Sequence, residues 1–186
     1  MDQVKIQKNL WNAAGKAGLV LGAISTIYLF AGQFLSGDLE PAVLWQKVVA
    51  IILWITKVVA CIYLMWFFMR RFAKENKVAD RKTIYRMGMA TAFLSALMFS
   101  AIYLANMLYI SADFYDRIFQ TTIQQMVPML DSNSINAMEK VIDILPQIAF
   151  FYYLLYCYLF GTVLSAIISR YIVSEQQSSE YKPDEE

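Results

Sequence analysis

Four long apolar runs, separated by short polar stretches, dominate the pattern of the chain. They cover residues 13–35, 48–69, 87–110 and 147–169. An α-helix rises about 1.5 Å per residue, so about 20 residues span the ~30 Å hydrocarbon layer of a bilayer. Each run is long enough to cross. The pattern therefore predicts an all-α fold, a bundle of four transmembrane helices.

Two further segments are too polar to cross a membrane. Residues 111–146 contain two helix-like pieces, 113–130 and 135–145, the second after a Ser-Asn-Ser start signal. Residues 173–186 are polar and acidic, which predicts a disordered tail. We expect residues 1–172 to form a single integral membrane domain.

Composition supports this class. Of the 186 residues, 59% are hydrophobic and only 17% are charged, which is typical of an integral membrane protein whose main partner is the lipid bilayer. The net charge of +1 gives no reason to expect a nucleic-acid partner. The chain has no histidine, and its two cysteines, Cys61 and Cys157, lie inside apolar runs, where they offer neither a disulfide framework nor a zinc site. We therefore predict no metal, no cofactor and no catalytic residue.

The distribution of lysine and arginine predicts the orientation. Residues 70–86 carry seven basic side chains, and cytoplasmic loops are the ones rich in Lys and Arg. Both termini and this loop are thus expected in the cytoplasm, with residues 111–146 on the outer side and the first run as an uncleaved anchor rather than a signal peptide. The basic residues expected to fix the topology and to meet lipid headgroups are Arg70, Arg71, Arg81, Lys82 and Arg86.

Small residues recur at four-residue spacing in three of the runs. Such stripes let membrane helices approach closely. The residues predicted to pack helices in this way are Gly18, Gly22, Gly88, Ala92, Gly161 and Ser165. Packing within one four-helix bundle is the favoured interpretation, and a homo-oligomer or a partner membrane protein using the same stripes is the alternative.

Lys57 is the one charge in the interior of the second run. A lysine at the centre of a bilayer costs about 2.5–3.5 kcal/mol on insertion scales, which the surrounding apolar residues offset. Three interpretations stay open: a structural lysine satisfied by polar groups or water, a lipid-phosphate or anion site, and a proton- or substrate-coupled role. The candidate acidic partners nearest in depth are Asp113 and Asp143. The candidate acceptors inside the runs are Ser25, Ser95, Ser100, Asn106, Tyr103, Tyr156 and Tyr158.

Three short stretches resemble a known family. They are GKAGLVLG at residues 15–22, the YRMG that opens the third run at residues 85–88, and GTVLSAIISR at residues 161–170. With four spans and a long segment between the third and fourth, the chain resembles the Bacteroidota membrane-protein family catalogued as domain of unknown function family 4199, over about residues 10–172. The resemblance implies a multi-pass inner-membrane protein with no assigned activity, and it transfers no catalytic residue.

Three functions compete on this sequence. The favoured one is a non-enzymatic accessory or scaffold subunit in envelope lipid or glycan assembly, because small-residue stripes are present and a catalytic constellation is not. A small oligomeric transporter or channel would use Lys57, although the chain has no internal repeats or broken spans. A lipid-modifying membrane enzyme would depend on the acidic residues of the segment 111–146 alone.

Overall fold

A computed structural model describes residues 3–35, 44–76, 80–126 and 132–180 of the chain. Over these residues it contains α-helices and no strand. They are α1 (Gln3–Leu35), α2 (Leu44–Glu75), α3 (Arg81–Ala105), α4 (Ala112–Met126) and α5 (Ser132–Glu180), with a π-helical segment, Asn106–Ile110, between α3 and α4. Four of the helices are long and apolar enough to cross a membrane. The predicted all-α fold is confirmed, and so is the prediction of four helices able to span a membrane.

The two ends of the bundle differ. One end, called here the basic end, contains the start of α1, the end of α2, the start of α3 and the last turns of α5, together with Arg70, Arg71, Arg81, Lys82 and Arg86. The other, called the α4 end, contains the end of α1, the start of α2 and the short helix α4.

Helix α3 begins at a well-defined cap. The backbone N–H groups of Lys82 and Thr83 donate to the Asp80 carboxylate, at 3.2 and 3.1 Å, which satisfies two of the free N–H groups at a helix start. These bonds hold the pKa of Asp80 below its ordinary value because they stabilise the charged carboxylate, and the bond from the Lys82 N–H has the largest effect. The cap fixes where the polar connection ends and the third span begins.

Helix α3 is the centre of the bundle and packs against α1 on one side and α5 on the other. A Cβ added to Gly18 would lie 2.8 Å from Leu94 Cβ, and one added to Gly22 would lie 2.8 Å from Met98 Sδ, so α1 approaches α3 where it has no side chain. The α3–α5 contact is equally close. A Cβ on Gly88 would meet Ser165 Oγ at 2.6 Å.

The small-residue stripes therefore lie in contacts between helices of the same chain. Gly161 of α5 faces Ala92 of α3, where an added Cβ would lie 2.5 Å from the Ala92 Cβ. Ser165 is fully buried and donates to the Gly161 carbonyl oxygen at 2.7 Å, which satisfies its hydroxyl within its own helix. Packing inside one bundle thus uses the residues that a dimer contact would otherwise need.

Helix α2 packs unevenly. Toward the basic end it buries Met65, Met69 and Phe72. Between Trp45 and Leu64 every described side chain is exposed or half-buried, so α2 is a peripheral helix over the half nearer α4. Close packing of α2 is confined to the basic end.

Helix α5 is longer than the pattern predicts. It runs unbroken from Ser132 to Glu180 and contains Pro146, so the prediction of a separate helical piece at residues 135–145 is wrong. Proline removes one backbone hydrogen bond and its ring crowds the carbonyl group of the preceding turn, but membrane helices tolerate both effects. The piece is the first part of the fourth membrane helix.

The end of α5 also differs from the prediction. Residues 173–180, expected to be part of a disordered tail, are helical. The Glu175 carboxylate forms an ion pair with Arg70 of α2. This contact ties the extension to the bundle and stabilises helical turns that its polar composition does not predict. Residues 181–186 of the predicted tail lie outside the described residues.

Helix α4 is short and amphipathic. It starts at Ala112, as the pattern predicts to within one residue, and its described part ends at Met126, while 127–130 lie outside the described residues. Polar residues such as Asp116 and Gln120 are exposed, whereas Tyr115, Ile118 and Phe119 are half-buried. The half-buried face is turned toward the bundle end.

Candidate functional site

Lys57 faces the inside of the bundle. Its side chain is half-buried, and its Nζ lies over the ring of Phe99 of α3, 4.8 Å from the ring centroid. Phe99 is only 5% exposed, so the ring is held in place by its neighbours. A cation over an aromatic face is stabilised by about 0.5–1 kcal/mol when exposed and by about 2 when desolvated. Among the described residues, the lysine charge is met by a ring and no carboxylate forms an ion pair with it.

Phe99 belongs to an aromatic cluster made of Phe99, Tyr103, Tyr115 and Tyr153. The Phe99 and Tyr153 rings meet edge to face with centroids 5.7 Å apart, and those of Tyr103 and Tyr153 are 4.3 Å apart. The Tyr103 and Tyr115 centroids lie 6.3 Å apart, and the Tyr103 hydroxyl interacts with those of Tyr115 and Tyr153. The cluster joins α3, α4 and α5 between the level of Lys57 and the α4 end.

Asn106 is the polar anchor of this region. It is fully buried at the junction where α3 becomes the π-helical segment. Its Oδ1 accepts from Ser111 Oγ at 3.0 Å, and its Nδ2 lies 3.4 Å from the Tyr115 hydroxyl. Gln33 Nε2 of α1 donates to the same hydroxyl at 2.8 Å. π-Helical turns occur often at functional positions, and this one supplies the turn that places Tyr115 against the end of the bundle.

Comparison with known proteins places the chain in a family. The profile of a family described as Protein of unknown function (DUF4199) matches residues 16–170. The chain belongs to this family. The resemblance read from the sequence is therefore confirmed over these residues. No curated protein and no solved structure matches the DUF4199 chain.

The DUF4199 protein does not bring the predicted partners of Lys57 together. Asp113 and Asp143 are exposed, and neither forms an ion pair with Lys57 in the described structure. Tyr158 is half-buried and packs edge to face on Phe93, with centroids 5.9 Å apart. Tyr156 lies on the outer face of α5 and is 55% exposed. Asp113, Asp143, Tyr156 and Tyr158 are thus scattered over the bundle, whereas the predicted acceptors Tyr103 and Asn106 lie in or beside the aromatic cluster that Lys57 contacts.

Part of this site can be predicted from the sequence. Asn106 and Tyr103 are visible as polar groups inside an apolar run, so the pattern identifies them as acceptors. Phe99 gives no such signal because one more aromatic residue in an apolar span is indistinguishable from core. Gln33 and Tyr115 join the site only through the fold, which brings the end of α1 against α4.

The five basic residues of the DUF4199 protein that were predicted to meet headgroups divide into two groups. Arg70 pairs with Glu175 and lies over the Trp66 ring, 4.9 Å from its centroid, and Arg71 Nε donates to Glu75 at 2.6 Å. The second group is exposed at the start of α3: Arg81, Lys82 and Arg86. The first group is therefore tied to the helices, whereas the second is free to meet solvent or headgroups.

Chemically, the site holds one cation, aromatic faces and neutral hydrogen-bonding groups. No group of three or more Cys, Asp or Glu side chains suited to a metal occurs among the described residues. Acid–base chemistry at Lys57 would need a proton acceptor beside it. The lysine Nζ lies over the Phe99 ring, and the thiols of Cys61 and Cys157 lie within electrostatic range of it. The arrangement is suited to holding helices in register.

Proposed function

We propose that this DUF4199 protein is a non-enzymatic subunit of the inner membrane of a Bacteroidota bacterium, with both termini in the cytoplasm. In this proposal it is an accessory or scaffold in envelope lipid or glycan assembly. It binds a partner protein's transmembrane helix along the outer face of α5.

The main support for the proposal is a ladder of aromatic side chains on α5, made of Tyr152, Tyr156 and Phe160. The rings of Tyr152 and Tyr156 are stacked at 6.0 Å between centroids, and those of Tyr156 and Phe160 at 6.5 Å, each pair within 10° of parallel. All three rings point away from the bundle and are exposed. The ladder is a preformed surface with little rotamer freedom to lose on binding.

The depth of Tyr156 supports a protein partner over lipid alone. Tyr156 lies nine residues after Gln147, where the apolar part of α5 begins, which is about 14 Å into the span. A hydroxyl at that depth in lipid has no water to bond to. No described residue of this chain is hydrogen-bonded to it, so a polar group on a neighbouring helix would satisfy it.

The geometry of Lys57 supports a subunit over a transporter. A coupled transporter moves an ion or proton past groups that change their charge, which intramembrane acids commonly provide. Lys57 contacts a buried ring, and the four apolar runs contain no Asp or Glu. A lysine that helps to set the packing of α2 on α3 accounts for these observations.

Site-specific photocrosslinking tests the proposal. A benzophenone amino acid replaces Tyr156 in the full chain in its native membrane, and the matched control places it at Leu155, which is equally exposed but one residue away around the helix. We expect a discrete crosslinked protein from position 156 and not from 155. Tyr156→Phe, which removes only the hydroxyl, should weaken recovery of that partner in mild detergent.

Two crosslinking results would contradict binding of a partner protein. Equal crosslinking to lipid from both positions, with a monomer in mild detergent, would show that the ladder faces lipid and would contradict the proposed subunit role. Crosslinking of the chain to itself would replace the partner by a homo-oligomer.

A further inference from the structure

A cavity of about 440 Å³ opens between α1 and α2 at the basic end. One face of α1 and one face of α2 line it, together with Met87 of α3. The lining residues are Asn9, Asn12, Ala13, Lys16, Phe68, Arg71, Phe72, Glu75, Asn76 and Met87. Neither the predicted Lys57 site nor the aromatic cluster contributes to it.

The cavity has an apolar floor and a polar rim. Phe72 and Met87 are buried beneath it. Asn76, 7% exposed, is fixed by two hydrogen bonds: its Nδ2 donates to the Phe72 carbonyl oxygen at 3.0 Å, and its Oδ1 accepts from Asn9 Nδ2 at 2.9 Å. This Asn9–Asn76 bond ties α1 to α2 within the lining of the cavity.

The charges of the lining leave an excess of one positive charge. Lys16 and Arg71 are the two cations and Glu75 is the one carboxylate. Arg71 uses its Nε on Glu75, which leaves the other guanidinium N–H groups free to donate elsewhere. Lys16 forms no ion pair with any described residue. The amide of Asn12, which is exposed, adds a neutral donor at the rim.

The register of α1 against α2 gives the depth of the cavity. Asn9 meets Asn76, and Ser25 Oγ lies 4.0 Å from Cys61 Sγ, so residue numbers on the two antiparallel helices add to about the same value at each level. Lys16 is therefore level with Met69 and Arg70, where the apolar run of α2 ends. The two cations flank the boundary between hydrocarbon and headgroups.

We propose that this cavity binds a phosphate group, held between Lys16 and Arg71 with the asparagine amides as further donors. A guanidinium and an ammonium together are the usual partners of phosphate oxygens. A phosphodiester carries one negative charge, which matches the excess charge of the lining. The phosphate comes from a phospholipid headgroup at this level of the membrane or from a soluble phosphate, and the two sources are separable by experiment.

Native mass spectrometry of the full chain provides the test. In one arm, wild-type protein released from detergent is titrated with phosphatidylglycerol and compared with phosphatidylcholine of the same acyl chains. In the second arm, the same protein is titrated with inorganic phosphate. The cavity variant Lys16→Gln/Arg71→Gln is compared with Lys8→Gln/Lys74→Gln, which removes the same charge from the same two helices at exposed positions outside the cavity.

We expect the cavity variant to lose phosphatidylglycerol affinity about tenfold or more and the control variant to keep it within about threefold. Asn12→Asp, a surface change that adds a carboxylate at the rim, should reduce affinity in the same direction and keeps the test valid if the double variant does not fold. Selective binding in the lipid arm identifies a headgroup, and binding of inorganic phosphate that the same variants abolish identifies a soluble ligand. Equal losses in cavity and control variants, or no binding in either arm, would overturn the proposal.

Discussion

Replacing Gly161 by alanine tests the contact on which the bundle depends. The new Cβ would lie 2.5 Å from the Ala92 Cβ, whereas carbon atoms in contact are about 3.5–4.0 Å apart. Neither atom is at the end of a flexible side chain, so α3 and α5 must separate by about 1 Å. Overpacking of this kind costs about 1–3 kcal/mol, and the better helix propensity of alanine returns up to about 1 kcal/mol. We expect a net loss of about 1–2 kcal/mol in the free energy of unfolding.

Unfolding by SDS in mixed micelles, followed by circular dichroism, measures this loss. Gly15→Ala is the matched control because no atom lies within 4 Å of the Cβ it would add, so it should be neutral or slightly stabilising. Ala92→Gly/Gly161→Ala moves the methyl group from one helix to the other and should recover most of the lost stability. If Gly161→Ala unfolds like Gly15→Ala, or if Ala92→Gly gives no rescue, the close approach of α3 and α5 is refuted.

Two further substitutions follow from the structure. Lys57→Met should raise the free energy of unfolding by about 1 kcal/mol in the same assay. The substitution removes an insertion penalty of about 2.5–3.5 kcal/mol and loses up to about 2 kcal/mol of contact with the ring. A clear decrease in the free energy of unfolding would show that the lysine makes polar contacts that the fold needs. Asp80→Ala should lower the free energy of unfolding by about 1 kcal/mol because the α3 cap is lost. Asp80→Asn should lower the free energy of unfolding by less. The folded pKa of Asp80 is below the unfolded value of about 3.9, so the charge stabilises above that pH, and the advantage of wild type over Asp80→Asn should fade as pH falls below it. An advantage that persists at low pH would contradict this role of the charge.

The four spans could be predicted because each is specified by its own residues. Length and apolarity are local properties, and the small residues at four-residue spacing identify the faces that pack. Helix ends were harder to predict. Pro146 and the polar residues after Ser174 are ordinary signals for ending a helix, yet α5 continues through both. At the second of these positions a contact distant in sequence, Arg70 with Glu175, holds the helical turns.

The candidate site was less predictable because its parts come from different helices. Lys57 is conspicuous as a charge in an apolar run, but its neighbour depends on which helix α2 packs against and in what register. The pattern pointed to acids at the span ends, since they are the natural partners of a lysine. The structure instead puts the Phe99 ring within 4.8 Å, and nothing local to Phe99 distinguishes it from the other phenylalanines of the spans.

The division of work between α2 and α3 explains both the fold and where binding is expected. Helix α2 is the most apolar of the spans, but apolarity only places it in the bilayer, since lipid solvates an apolar helix as well as another helix does. Helix α3 is organised by shape: its Gly88 and Ala92 lie against Ser165 and Gly161 of α5, and on its other side Leu94 and Met98 lie against Gly18 and Gly22 of α1. Helix α2 packs closely only toward the basic end, where Met65, Met69, Phe72, Ala73 and Asn76 are buried. The cavity with Lys16 and Arg71 lies at the same end, so loss of the Asn9–Asn76 bond would alter the cavity more than the contacts of α3 with α1 and α5.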